Sequence, residues 1–314
     1  MRYRRLGRTE LRVSELGFGA ARGAKETPEE FGAAVGAALE GGINFVDTAA
    51  GYDGGESERL LGRLLADRPE VIIETKYCPY ENYKPGAKYT GSPRALMESV
   101  EESLRRLRRD RLDVLLAHGL RTLETFERFM SDGCYDALLK AREQGKARFI
   151  GMSELSEADG THEVLKRAVP TGAFDVVMLT LNFMLQTAGE VLPQCAARDV
   201  GAVVMMPLNH ARGGSGLTSL PAARECARRH IAAGNLPDAP PYTGPDLFDF
   251  LLPYSIPQAA LRYVLAHEIG CCCVGVRAAE HLKENLRAVD PPYLDEARMR
   301  RLRELFGGIR VQVF

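Results

Sequence analysis

Val71-Ile72-Ile73-Glu74-Thr75-Lys76 is a short apolar run that ends in a charge, and the pattern on its C-terminal side decides the fold. From Pro93 to Leu107 the apolar residues Leu96, Val100, Leu104 and Leu107 recur at helical spacing. Ser92 stands before Pro93, a side-chain cap followed by proline at the first helical position. A second apolar run, Leu112-Asp113-Val114-Leu115-Leu116, comes next. Strand, helix and strand in that order make a unit whose two strands lie parallel.

The unit recurs in both directions. Upstream strands begin at Leu16-Gly17-Phe18-Gly19 and Ile43-Asn44-Phe45-Val46, and Gly41-Gly42 stops the helix between them. Downstream strands begin near Ala147-Arg148-Phe149-Ile150, Asp175-Val176-Val177-Met178, Ala202-Val203-Val204-Met205 and Cys271-Cys272-Cys273-Val274. Eight strands alternating with helices predict an α/β fold, a closed (β/α)8 TIM barrel that fills residues 1–314 as one domain. The near-continuous apolar strands fit a sheet covered on both faces. Two additions sit outside the repeat: a small hairpin from Tyr3 to Val13 turning at Gly7-Arg8, and a long polar segment after the seventh strand. That segment, Pro207 to about Tyr254, carries a short helical piece near Ala222–Arg229 and overhangs the C-terminal mouth.

Composition narrows the function. Hydrophobic residues are 45% of the chain, enough for a sizeable core, and the formal net charge of -1 gives no general attraction to nucleic acid or an anionic membrane. Arg105-Arg106-Leu107-Arg108-Arg109 reads as a solvated helix end. No apolar run is long enough to span a bilayer and no signal peptide is visible after Met1, so the expected address is cytoplasmic; oligomeric state stays open. The seven cysteines include no Cys-x-x-Cys pair. Neighbours on a strand face opposite ways, so Cys271-Cys272-Cys273 cannot ligate one ion together; buried thiols, and no metal site, are expected.

In such barrels chemistry collects at the C-terminal strand ends. There the second strand gives Asp47-Thr48-Ala49-Ala50-Gly51-Tyr52, the third Thr75-Lys76, the fourth Ala117-His118 and the fifth Met152-Ser153-Glu154. An ammonium at a barrel mouth needs a partner, and Asp47 on the adjacent strand is the natural one for Lys76. A phenol beside that ammonium is expected to have a lowered pKa, so that Tyr52 exchanges a proton near neutral pH.

These residues carry a resemblance. Gly42-Ile43-Asn44-Phe45-Val46-Asp47-Thr48-Ala49, Gly51-Tyr52, Gly54-Gly55-Glu56-Ser57-Glu58, Glu74-Thr75-Lys76, Leu115-Leu116-Ala117-His118 and Gly145 to Ser153 resemble, in order and spacing, the aldo-keto reductase superfamily. The similarity runs from about Tyr3 to Leu286. It implies a catalytic tetrad of Asp47, Tyr52, Lys76 and His118, with Tyr52 as general acid for reduction and base for oxidation. Lys76 tunes it, Asp47 holds Lys76, and His118 orients the substrate carbonyl. It also implies a nicotinamide cofactor that supplies hydride to a small-molecule carbonyl, or takes it from an alcohol.

Gly17-Phe18-Gly19 lacks the third glycine of a dinucleotide fingerprint. By the resemblance, the phosphates are held after the seventh strand, around Pro207 and Leu208 and the run Arg212-Gly213-Gly214-Ser215-Gly216-Leu217, where Gly214 and Gly216 free the backbone amides. Gly275, Arg277, His281, Glu284 and Asn285 resemble the adenosine end, and Arg277 or His281 meeting a 2'-phosphate favours NADP(H) over NAD(H). At the nicotinamide the chain departs from the pattern. Ser153 is followed by Glu154 instead of asparagine, Met178 stands for glutamine, Met205 for the stacking tyrosine, and Met206 where serine is common. Pocket walls are expected from Phe18, Tyr52, Tyr77, Tyr80, Tyr83 and the long seventh loop, with Tyr77–Gly91 covering the mouth. Three alternatives stand beside the reductase: a sugar or polyol dehydrogenase, a cofactor-binding regulatory subunit with little turnover, and a metal-dependent hydrolase, for which the strand ends lack ligands.

Overall fold

The computed structural model describes residues 1–21, 27–82, 86–208, 216–276, 279–289, 291 and 293–312. An antiparallel hairpin opens the chain, β1 (Tyr3–Arg5) against β2 (Arg12–Ser14), with one tight helical turn at Gly7–Thr9 between them. The barrel strands follow as β3 (Leu16–Gly19), β4 (Phe45–Asp47), β5 (Ile72–Tyr77), β6 (Leu112–Leu120), β7 (Ala147–Glu154), β8 (Val176–Thr180), β9 (Gly201–Met205) and β10 (Cys271–Gly275). Each pairs in parallel with the next, and β10 closes onto β3.

Around the barrel stand α1 (Pro28–Glu40), α2 (Glu56–Leu64), α3 (Pro93–Leu107), α4 (Leu123–Ser131), α5 (Cys134–Glu143), α6 (Glu163–Ala168), α7 (Leu192–Ala197), α8 (Leu220–Ala232), α9 (Ile256–Leu265), α10 (Ala279–Leu286) and α11 (Glu296–Phe306). Local chemistry explains the starts. Thr27, Ser92, Thr122, Ser219 and Ser255 each accept from the backbone N–H three residues on, filling an orphan donor of the first turn. The helix expected at Pro93–Leu107 has those bounds, and Gly42 takes the left-handed φ of +83° that a stop requires. The segment after β9 is better organised than a long loop: the short helical piece expected there is a thirteen-residue helix, α8.

Strand alternation sorts the side chains into two cores. Phe45, Ile72, Val114, Leu116, Val176, Met178, Val203, Cys271 and Cys273 fill the interior, and Leu6, Leu11 and Val13 of the hairpin plug its floor. The intervening residues, Phe18, Val46, Ile73, Leu115, Ile150, Val177 and Cys272 among them, pack under the helices. The cysteine triplet is split between the two faces, as the period of two demands, and all three thiols are buried. Gly17 is required by this packing: a Cβ there would come within 2.8 Å of both Cys271 and Cys273 sulfurs.

Candidate active site

Counting on from the interior residues places the strand-end chemistry. Ile72 faces inward, so Glu74 and Lys76 do too; Phe45 carries Asp47 with it, and Leu116 carries His118. Strand pairing sets Asp47 beside Glu74 and Lys76 beside Leu116. Lys76 is almost fully enclosed, its ammonium donating to Asp47 Oδ1 and, at 2.7 Å, to the Thr48 carbonyl. It stands 3.5 Å from the Tyr52 hydroxyl oxygen, longer than a well-formed hydrogen bond, and 5.0 Å from the centre of the Tyr52 ring. The Tyr52 and His118 rings meet edge to face, with centroids 5.8 Å apart. All four expected catalytic residues thus share one end of the barrel.

The turn that presents Tyr52 follows from its sequence. Tyr52 N–H donates to the Ala49 carbonyl at 3.0 Å, and Asp53, Gly54 and Gly55 all take positive φ, Gly55 at +86°. Beyond them Ser57 and Glu58 lock α2 to the strands. Ser57 Oγ donates to the Ala20 carbonyl at 2.8 Å. Glu58 accepts from Thr75 Oγ1 at 2.6 Å and from Arg106 Nε at 2.7 Å.

Electrostatics correct one expectation. Burial pushes the Tyr52 phenol up, and the pull of Lys76 in the other direction does not overcome it; the expected lowered pKa is not what this arrangement gives. Burial pulls Lys76 down, but Asp47 first, with Tyr52 and Glu74, together outweigh it, and Lys76 ends raised. Burial pushes the Asp47 carboxyl up against Lys76. Glu74, wholly buried beside Asp47, is raised well above the carboxylate range by burial and by that neighbouring charge. His118 is held well below its ordinary value, by burial first and then by Lys76 and Arg121, so its imidazole is neutral at pH 7.

Three clefts run along the mouth and share walls. The first, about 290 Å³, takes in Tyr52, Cys78, His118, Arg121, Ser156 and Met205. The second, about 300 Å³, joins it at Tyr52, Met205 and Met206 and continues past Met178, Pro207, Leu208 and Gly275. The third, about 310 Å³, joins at Leu208 and Gly275 and ends at His281, Glu284 and Asn285. A larger hollow of about 660 Å³ lies outside the barrel between α3 and α5, away from the C-terminal strand ends. The expected cofactor residues Met178, Met205, Pro207, Leu208, Gly275, His281, Glu284 and Asn285 therefore line one trough. Gly216 is buried beside Leu217, whose N–H donates to the Leu208 carbonyl at 2.6 Å. Gly214 and Arg277 lie outside the described residues, as does Tyr83.

Other expected residues sit differently. Ser153 is buried and its Oγ accepts from Gly119 N–H at 2.8 Å. Glu154, one residue on, faces outward. Its Oε2 meets His162 Nδ1 at 2.6 Å and its Oε1 accepts from Thr180 N–H at 2.8 Å. Both oxygens are engaged by neighbouring groups of the chain, and Glu154 also borders the first cleft. His162 Nε2 lies 3.0 Å from Thr187 Oγ1, which donates to the Gly160 carbonyl; His162 therefore donates there, and one proton lies between Nδ1 and Glu154. The clamp holds His162 at a left-handed φ of +60°.

Phe18, Tyr77 and Tyr80 are not pocket walls. Alternation turns Phe18 and Tyr77 to the outer core, where Phe18 packs on Phe31. Tyr80 lies under Arg121, 3.8 Å from its guanidinium. Arg121, Glu74 and His162 went unread as site residues. Arg121 and His162 sit in loops where period counting is silent, although Glu74 could have been found as a charge at an interior position.

With the geometry in view, likeness to known proteins is specific. Residues 15–222 match the model of the aldo/keto reductase family. The chain is 32% identical over 297 residues to the L-galactose dehydrogenase of Arabidopsis thaliana, covering 91% of this chain and 87% of that one. It is 30% identical over 178 residues to the NADH-specific methylglyoxal reductase of Escherichia coli, covering 52% of each. A holo-form aldo-keto reductase of Bacillus halodurans superposes with a TM-score of 0.75 at 24% identity, over 98% of this chain and 97% of that chain.

Proposed function

This chain belongs to the aldo/keto reductase family, and on that premise we propose that it interconverts a small aldehyde or ketone and its alcohol with NADP(H), Tyr52 giving or taking the proton. The observation that carries the reading is the enclosure of Lys76 by Asp47 and Thr48 directly behind the Tyr52 hydroxyl. A nicotinamide cofactor, when bound, supplies or accepts the hydride. The trough fits such a group: Met178 and Met205 would border the ring, Pro207 and Leu208 the phosphates, and Gly275, His281, Glu284 and Asn285 the adenosine. By the resemblance, Arg277 or His281 meeting a 2'-phosphate favours NADP(H) over NAD(H).

The chain's own residues then divide the work. His118, neutral, donates a hydrogen bond to the carbonyl oxygen and fixes its position. Tyr52, which keeps its proton at neutral pH, delivers it to the same oxygen as negative charge builds there. Lys76 stabilises the phenolate left behind, and Asp47 keeps Lys76 charged and fixed. A phenol that holds its proton favours reduction at pH 7. The dehydrogenase reading has its own support in the name of the Arabidopsis relative, and the same groups serve it in reverse at higher pH.

The test is titration with NADPH and NADH, following tyrosine and cofactor fluorescence, with Tyr52→Phe in parallel on a carbonyl panel. Tight NADPH binding, with kcat lowered by about 100-fold or more in the variant, is the expected result. Failure to bind either dinucleotide, or full turnover in Tyr52→Phe, would refute it.

A further inference from the structure

We propose that the substrate is an oxo acid, a small aldehyde or ketone carrying a carboxylate, and that Arg121 binds that carboxylate. The inference rests on the carbonyl–alcohol reading above and names the substrate class of the same cleft. Arg121 stands three residues past His118, just beyond the end of β6, and lines the cleft that holds Tyr52 and His118. It is only 7% exposed. Its head group donates to the Ala87 carbonyl at 3.3 Å and the Asn82 carbonyl at 3.1 Å, both long for charge-assisted bonds, and rests on the Tyr80 ring. A guanidinium has five N–H groups. Two are used here, and buried Nε has no acceptor among the described residues.

Two partly buried arginines are each held by an acid instead. Arg4 holds buried Glu15 at 2.8 Å, and Arg106 holds buried Glu58 at 2.7 Å. No carboxylate among the described residues pairs with Arg121. The carboxylates near it are spoken for or screened: Glu154 is engaged by His162 and Thr180, and Asp53 and Glu157 lie exposed at the cleft mouth. Lys76 is already neutralised by Asp47. A buried cation held by two carbonyl dipoles and a ring face is under-compensated, and it borders the cleft that would hold a substrate. A planar carboxylate matches the fork of Arg121 and needs no proton to do so. With that group at Arg121, the carbonyl at the other end of a short chain is left for Tyr52 and His118. The charge of Arg121 already reaches His118, which it helps to keep neutral.

The test compares matched pairs, 5-oxopentanoate against pentanal and glucuronate against glucose, in the wild type, Arg121→Met and Arg121→Lys, with saturating cofactor. The readout is the ratio of kcat/KM for acid over neutral partner, which cancels any general loss from disturbing the Ala87 and Asn82 contacts. The wild type should prefer the acids. The ratio should fall by about 10- to 100-fold in Arg121→Met and recover in part in Arg121→Lys. A wild-type ratio near one, or the same ratio in Arg121→Met, overturns the proposal. Calorimetric titration with glutarate, which has no carbonyl to reduce, reads the same site without turnover. Binding weakened by Arg121→Met supports the assignment, and equal or absent binding in both proteins overturns it. If no carbonyl is reduced with either cofactor while glutarate still distinguishes the two proteins, the catalytic reading fails and the anion site stands.

Discussion

Replacing Asp47 with asparagine keeps its volume and removes the negative half of the buried pair. The Lys76 side chain is 1% exposed, and its remaining acceptors would be the Thr48 carbonyl at 2.7 Å and the Tyr52 oxygen at 3.5 Å. Glu74 is a poor substitute, because burial, the largest cause of its raised carboxyl, remains when Asp47 is replaced. Breaking a buried ion pair from one side costs about 3–5 kcal/mol. With an unfolding entropy of about 2.1 cal/mol/K per residue, a chain of this length should lose about 5–8 °C in Tm. Lys76→Met should cost less, about 1–3 kcal/mol, since the stranded Asp47 can take up a proton. The double variant Asp47→Asn/Lys76→Met should recover about 2–4 kcal/mol relative to the sum of the two losses. Scanning calorimetry and guanidinium unfolding of the four proteins at pH 7 measure this cycle. A loss under about 1 kcal/mol for Asp47→Asn, or simple additivity in the double variant, would show that the pair is not the enclosed unit described above.

Three further outcomes rest on the same geometry. Glu154→Gln keeps the bond from Thr180 and can donate to His162 Nδ1, so it should cost under about 1 kcal/mol, whereas Glu154→Ala strands both groups and should cost about 2–4 kcal/mol in calorimetry; equal losses would discount the clamp. Glu74 has a raised carboxyl, so its contribution to stability is complete below the ordinary carboxylate range and is lost as pH rises toward its folded value, by up to about 1.4 kcal/mol per pH unit. Glu74→Gln should therefore gain Tm relative to the wild type between pH 4 and 8, and parallel Tm profiles would contradict the buried charge argument. The raised Tyr52 phenol predicts reductive kcat/KM that is level through neutral pH and declines only above the ordinary phenol range near about 10, with alcohol oxidation rising over the same interval. A reductive limb that breaks below about pH 9 would mean that Lys76 outweighs burial after all.

The sequence by itself determined the barrel and the meeting place of the four residues proposed for catalysis. Eight apolar runs alternating with capped helical patterns allow parallel strands only, and closure places every strand end at one rim; Asp47, Lys76 and His118 then follow as strand termini and Tyr52 as the turn beyond. The split of Cys271, Cys272 and Cys273 between two faces was legible for the same reason, since the strand period is two. Tertiary structure decided what depends on distance and solvent. Glu154 and Ser153 are neighbours in sequence, yet one faces the barrel interior and the other His162, a residue eight positions away that no strand pattern locates. Phe18 is aromatic at the right strand but on the helix side of it. The Tyr52 pKa turned on a balance between burial and one cation, which depends on packing around the hydroxyl rather than on which residues are near in the chain. Arg121 has the same character: as a letter in a loop it is one more surface charge, and only the fold removes it from water without giving it an acid.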